Sequence, residues 1–382
     1  MLNRRLFLGG AFATAATLSA GLHSRPLMAA NESTVPRALV DWHSHYVSHA
    51  EMKFLATRTQ PPKLINGADG ATQLDNATTV SAIGGPSAFA PSDLQARLRN
   101  LDQNGIQRQL LTHTVALGFD ASLPIEEQRA LYRAFNDELA EVLVKHRPRF
   151  LAVAALPASD PVWAAQELTR AHRELGFIGG SLPLNAFATL AGARTLKPLF
   201  DTAQKLNSHF FIHRGPASDR VPGQPPLVVP DDTSYARWNL ISNSHLAAGA
   251  LTLGLTDFLD PYPDVSVEII MLGGFFTHLF DSIIPAARAN GIADPLQKLR
   301  RIYIDTGPYS VRNAGWVRYA CDKIGADRIL FGTDYGVGGG QRGDVGPALA
   351  TLDAALTPAQ RQAIYFDNTR ALLAAKGLSQ AS

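Results

Sequence analysis

Short runs rich in β-branched, aromatic and aliphatic residues alternate along the chain with longer stretches in which apolar positions recur every three or four residues. The runs cover Ala38 to His43, Ile106 to Thr112, Phe150 to Leu156, Phe177 to Leu182, His209 to His213, Val265 to Met271, Arg301 to Asp305 and Arg328 to Asp334. Such alternation predicts βα units around a parallel sheet. Between Ile125 and His146, the residues Leu131, Phe135, Leu139, Val142 and Leu143 mark one face of a helix that packs on that sheet. Pro161, Pro198 and Pro358 stand near the starts of helical stretches, where a missing N–H costs little. Eight strand–helix repeats predict an α/β protein of the TIM type, a (β/α)8 barrel with long loops after the first and fifth strands. Those loops run from about residue 50 to 91 and from 217 to 233, and connections this long often wall an active-site mouth or carry a surface insertion.

Composition narrows the picture. With 46% hydrophobic and 18% charged residues, the chain has ample material for a large core. The formal net charge is +2, with no run of basic residues, so nucleic acid is not an expected partner. The single cysteine, Cys321, excludes an intramolecular disulfide and a cysteine-based zinc site, so any metal must use histidine and carboxylate. Residues 1–30 pair Arg4-Arg5 with an uncharged Ala/Leu/Gly stretch through Leu22 and end at Met28-Ala29-Ala30. They resemble a twin-arginine export signal, which predicts a periplasmic protein without a membrane anchor after cleavage and a single domain over 31–382. A buried N-terminal helix or a retained anchor is the alternative.

The sharpest local feature is Asp41-Trp42-His43-Ser44-His45 at the end of the first run. Residues two apart in a strand share a side, so His43 and His45 can address one ion. His213 closes the fifth run and Asp334 the eighth. In a parallel barrel all strands end on one face, which can bring these four residues together. Alone, His213 would read as a core histidine and Asp334 as a helix cap.

In these residues the chain resembles the amidohydrolase superfamily, in the branch of aminocarboxymuconate-semialdehyde decarboxylase and related aromatic-acid decarboxylases. The resemblance runs from Leu39 to Leu373. It rests on Asp41-Trp42-His43-Ser44-His45, Phe211-Ile212-His213, Tyr262-Pro263-Asp264, Leu272-Gly273-Gly274, Ile329 through Asp334 and Asn368 through Leu373. It implies that His43, His45, His213 and Asp334 hold one divalent ion, zinc, and that Asp334 moves protons. It also implies a small-molecule substrate and a homodimer. One position departs from the pattern: Met271 stands where the family normally carries an acid/base histidine, and a thioether cannot transfer a proton. His278 is the nearest candidate replacement, followed by His113 and His245. Arg214 and Trp42 are candidate substrate contacts, and Tyr46, Trp238, Phe275 and Tyr335 are aromatic residues near the expected mouth that could equally be packing. Non-oxidative decarboxylation of an aromatic or unsaturated acid is the leading expectation. Hydrolysis of an ester, lactone or amide is the alternative, and a non-catalytic periplasmic binding protein a third.

Overall fold

The computed structural model of the protein describes residues 39–68, 70–75, 87–225, 235–307, 313–336 and 345–378. The stretch read as an export signal and the side chain of Trp238 lie outside them, as do parts of both long loops.

The strands of the barrel are β1 (Leu39–Tyr46), β2 (Ile106–His113), β3 (Phe150–Ala152 continuing as Ala154–Ala155), β4 (Gly179–Pro183), β5 (His209–His213), β6 (Ser266–Ile269), β7 (Tyr303–Asp305) and β8 (Ile329–Leu330). Every pairing is parallel and sequential, from β1–β2–β3 through β4 to β8. Backbone bonds also join β1 to the segment that follows β8. Trp42 N–H donates to Phe331 O at 2.8 Å, Asp334 N–H to His43 O at 2.8 Å and His45 N–H to Tyr335 O at 2.7 Å. The β1–β2 register shifts between Asp41 and Ser44, where Trp42 and His43 direct their backbone groups to β8. That irregularity lies inside the His-x-His motif.

The periodicity of the second helix-rich stretch is realised in full: a helix spans Ile125–His146 and buries Leu131, Phe135, Leu139, Val142 and Leu143. Pro161, Pro198 and Pro358 each occupy the first turn of a helix. The excursion after β1 is more ordered than its composition suggested. Ser48 and Glu51 form a reciprocal capping box that starts a helix over His49–Ala56. Short antiparallel strands at Lys63–Asn66, Thr72–Asp75 and Ser87–Ala88 follow it. Past the Pro-rich stretch after β5, an apolar helix covers Tyr235–Leu255. Among the described residues no helix is long and apolar enough to cross a membrane.

The end of the barrel where the strands begin is plugged by the C-terminal helix Asn368–Ala375. Asn368 Nδ2 donates to Ala326 O and Ile329 O, and Lys376 Nζ to Asn207 Oδ1, Ser208 O and Asp264 O. These partners precede or open β8, β5 and β6, so this end is occupied by protein. Chemistry is left to the opposite end.

Candidate metal centre

Strand β1 is buried along its whole length, and its chemistry is therefore held by neighbours, not by water. At the C-terminal end of the barrel the structure brings His43, His45, His213 and Asp334 together, with one ligand atom from each within 4.8 Å of the others. Asp334 Oδ1 lies 3.3 Å from His43 Nε2 and 3.1 Å from His45 Nε2. The His43 and His45 side chains are 0% and 1% exposed, whereas Asp334 is 24% exposed, so the cluster opens toward solvent on the Asp334 side.

Each histidine is pinned through its outer nitrogen. His43 Nδ1 bonds Asp305 Oδ1 at 3.1 Å. His45 Nδ1 lies 3.2 Å from Thr112 Oγ1, whose own proton goes to Ser44 O. His213 Nδ1 bonds Arg214 O at 2.7 Å. A carboxylate, a hydroxyl oxygen and a carbonyl thus take the three Nδ1 protons and leave three Nε2 lone pairs facing one point, the arrangement by which proteins orient metal-binding imidazoles. His43 Nε2 is buried without a well-aligned hydrogen-bond partner, as expected of an atom meant for an ion. The donor set, three imidazole nitrogens and one carboxylate, fits a divalent cation.

The electrostatics follow from crowding. Burial disfavours charge on His43, but Asp305 and Asp334 overcome it and hold its pKa well above the ordinary histidine value. Burial likewise works against ionised Asp334, yet His43 and His45 keep it well below the carboxylate range. Burial dominates at His45 and His213 and lowers both. His43 as a cation and Asp334 as an anion therefore sit together beside two neutral imidazoles, where a divalent cation can take the place of the His43 proton.

Support for the ligands comes from polar residues around them. Asp41 accepts from His43 N–H (3.2 Å), Thr333 N–H (3.1 Å), Thr333 Oγ1 (2.7 Å) and Gln109 Nε2 (2.6 Å), tying β1 to β2 and to the segment after β8. Burial raises its pKa to about 6 against those bonds. Arg97, buried, donates to Gln109 Oε1, Ser44 Oγ and His45 O, with its guanidinium 4.8 Å from the centre of the Tyr335 ring. Gly332 is required here, because a Cβ would lie 2.6 Å from that of His43. Asp334 adopts φ 65, and Met271 and Leu272 take φ 58 and 55 in the turn after β6. Left-handed backbone at non-glycine residues is strained and collects at sites that surrounding structure over-determines. Met271 contributes through its backbone, donating N–H to Asp305 Oδ1 at 3.1 Å.

Several candidates lie elsewhere. Trp42 is not a substrate contact: its indole N–H donates to Thr369 on the plugging helix at 2.8 Å, and its ring packs edge-on to His209, at the start of β5. It therefore faces the closed end of the barrel, because the break in register inside the motif disrupts the simple alternation. Trp42→Phe should lower stability by about 2 kcal/mol through lost packing and an orphaned Thr369 hydroxyl, measured by urea denaturation; an unchanged midpoint would rule out this latch. His278 does not join the cluster; it stacks on Tyr319 (4.7 Å) and meets Trp316 and Phe275 edge-on. His113 pairs with the buried Glu51 at 3.0 Å amid Phe119, Tyr132 and Phe135. His245 is partly buried on the helix Tyr235–Leu255. Tyr46 reaches Glu138 and Phe135. Arg214 remains beside the cluster, with Nη1 donating to Ser242 Oγ at 3.2 Å.

The amidohydrolase family profile matches residues 40–374, nearly the whole described chain. The chain belongs to the amidohydrolase family. Among curated relatives, this amidohydrolase is 29% identical over 265 residues to the gamma-resorcylate decarboxylase of Rhizobium sp., covering 64% of this chain and 77% of that one. It is 23% identical over 255 residues to the 2-amino-3-carboxymuconate-6-semialdehyde decarboxylase of Dictyostelium discoideum, covering 64% and 66%. In fold it is similar to the crystal structure of a dihydroxybenzoic acid decarboxylase from Polaromonas sp. with bound manganese and the inhibitor 2-nitroresorcinol. That likeness has a TM-score of 0.63 at 21% identity, over 87% of this chain and 96% of the other.

Proposed function

We propose that this amidohydrolase is a metal-dependent, non-oxidative decarboxylase of a hydroxylated aromatic acid, with zinc held by His43, His45, His213 and Asp334. The observation that carries the reading is the convergence of three pinned imidazoles and one carboxylate at the open end of the barrel, in a chain similar to gamma-resorcylate decarboxylase. Three nitrogen donors favour zinc, although the Polaromonas relative holds manganese. A divalent ion at this point supplies positive charge for substrate oxygens and acidifies water.

The residues of the chain do the rest. His43, His45 and His213 are fixed by Asp305, Thr112 and the Arg214 carbonyl, so little reorganisation accompanies reaction. Arg214, one residue past a ligand, is placed to pair with a substrate carboxylate or hydroxyl. Asp334, on the exposed side, takes a proton from water or a substrate hydroxyl and passes it to the ring carbon bearing the carboxylate. As that carbon is protonated, the bond to the carboxylate breaks, its electron pair stays on the ring and carbon dioxide leaves. Residues 1–30, read as an export signal, would place this activity in the periplasm.

The direct test is elemental analysis of the purified protein, followed by incubation with 2,6-dihydroxybenzoate and related hydroxybenzoates while carbon dioxide is measured. About one divalent ion per chain and carbon dioxide release are expected. Cleavage of esters or lactones without carbon dioxide would replace this reading by the hydrolytic one. Protein that stays empty after exposure to zinc, manganese and cobalt would remove the metal centre.

A further inference from the structure

Two of the cluster residues, His45 on β1 and Asp334 after β8, meet where the first and last strands come together, and a side chain from neither strand reaches both segments. Arg97 lies on the helix Leu94–Gln103, where the excursion after β1 returns to the barrel. The return is fixed two residues beyond His45: Ser92 N–H donates to Val47 O at 3.0 Å, and Val47 N–H to Ser92 Oγ at 2.9 Å. Asp93 then caps the helix by accepting from Ala96 N–H at 2.9 Å, and Arg97, the next residue, is 1% exposed. On the β1 side its Nη2 donates to His45 O and its Nη1 to Ser44 Oγ (3.2 Å) and Gln109 Oε1 (2.7 Å). On the β8 side the guanidinium lies 4.8 Å from the centre of the ring of Tyr335, the residue that follows Asp334. Tyr335 O in turn accepts from His45 N–H at 2.7 Å. His45, Tyr335 and Arg97 therefore form a closed triangle. Gly336 borders it at φ 90, where a Cβ would collide with His45 O and Arg97 Nη2.

Stability alone does not account for an arginine here. None of its hydrogen-bond partners is a carboxylate, and its Nε–H is buried without an acceptor among the described residues, so the charge is carried in the interior at a cost. What a guanidinium brings, and an apolar side chain of similar volume does not, is a rigid plane with donors at fixed angles and a face for an aromatic ring. We infer that Arg97 is a positioning residue of the metal centre, which sets the spacing of the ligands His45 and Asp334. It holds the backbone of the first directly and, through Tyr335, the turn that presents the second. That turn needs a hold because Asp334 sits in the left-handed region at φ 65, a conformation kept only where the surroundings enforce it. The spacing so fixed is the 3.1 Å between His45 Nε2 and Asp334 Oδ1.

This inference rests on the metal-centre reading, and cobalt substitution separates the two, because the visible absorption of bound cobalt reports how its ligands are placed whether or not the enzyme turns over. Arg97→Lys keeps the charge but cannot span the carbonyl, hydroxyl, amide and ring together. Tyr335→Leu removes the ring and keeps the backbone bond to His45, so it decides the matter if the lysine variant fails to fold. In each folded variant the cobalt bands should shift in position or intensity. Zinc affinity, measured by chelator competition, should fall about tenfold, the usual size of losing a partner behind a ligand. Urea denaturation run alongside identifies a merely structural role: variants that keep the wild-type cobalt spectrum and zinc affinity, even with reduced stability, would overturn the inference. Wild-type protein that takes up neither zinc nor cobalt would defeat the metal-centre reading itself, and the role of Arg97 with it.

Discussion

Asp334→Asn should reduce decarboxylation by about 10²- to 10⁴-fold, the range lost when a positioned proton-transfer group is removed. Asparagine is the informative replacement because Asp334 sits at φ 65, a left-handed conformation that Asn tolerates better than other side chains. The backbone bond from residue 334 to His43 O, which joins that residue to β1, is therefore retained. What disappears is the negative charge shared between His43 and His45, together with the capacity to hold a proton. Metal content should fall as well, since an amide oxygen is a weaker ligand than a carboxylate, so turnover is best compared at saturating metal. Circular dichroism should be unchanged. Turnover within about tenfold of wild type at full metal occupancy would take Asp334 out of proton transfer and leave it at most a ligand.

The parts of this molecule that were legible in its sequence are those in which one residue type repeats a simple geometric rule. Ile125–His146 obeys the helical period on a wholly buried stripe, and its ends agree with the expected ones. The four cluster residues obey another rule, that strand ends in a parallel barrel share a face, and the structure assembles all four. Trp42 and the last strand escaped for the same reason. The register break between Asp41 and Ser44 cancels strict alternation there, and the left-handed Asp334 takes Phe331 through Asp334 out of the regular ladder after Leu330. His278 was placed by distance along the chain, but the turn Met271–Gly274 carries its segment against the helix Ala314–Ile324 and not toward the ligands. The supporting polar residues left a faint signal: Gln109, Glu268 and Asp305 each fall within an apolar run, where burial demands a partner. The partner comes from another strand in every case, and a single sequence does not name it.

Asp41 is where that hidden support is most concentrated, and Asp41→Ala should cost about 3–5 kcal/mol of stability, as expected when a buried charge-assisted network loses its acceptor. Four donors, from His43, Thr333 twice and Gln109, would lose their partner at once in a site without room for bulk water. The loss falls on the seam between β1 and β8, so metal binding should weaken together with the fold. Asp41→Asn is expected to recover only part of this, for a reason set by direction. Arg97 can only donate, which obliges Gln109 to turn its oxygen toward Arg97 and its amide N–H toward Asp41. An asparagine that turns its oxygen to Gln109 sets its NH2 against the backbone N–H groups of His43 and Thr333, and the opposite orientation sets N–H against N–H at Gln109, whose flip would move the conflict to Arg97. Asn should therefore remain about 1–3 kcal/mol less stable than wild type in urea denaturation despite its matching shape. An Asn variant as stable as wild type would mean that the donors around residue 41 do not need an acceptor on both sides of it, and an Ala variant within about 1 kcal/mol would mean that the β1–β8 seam is held by its backbone bonds alone.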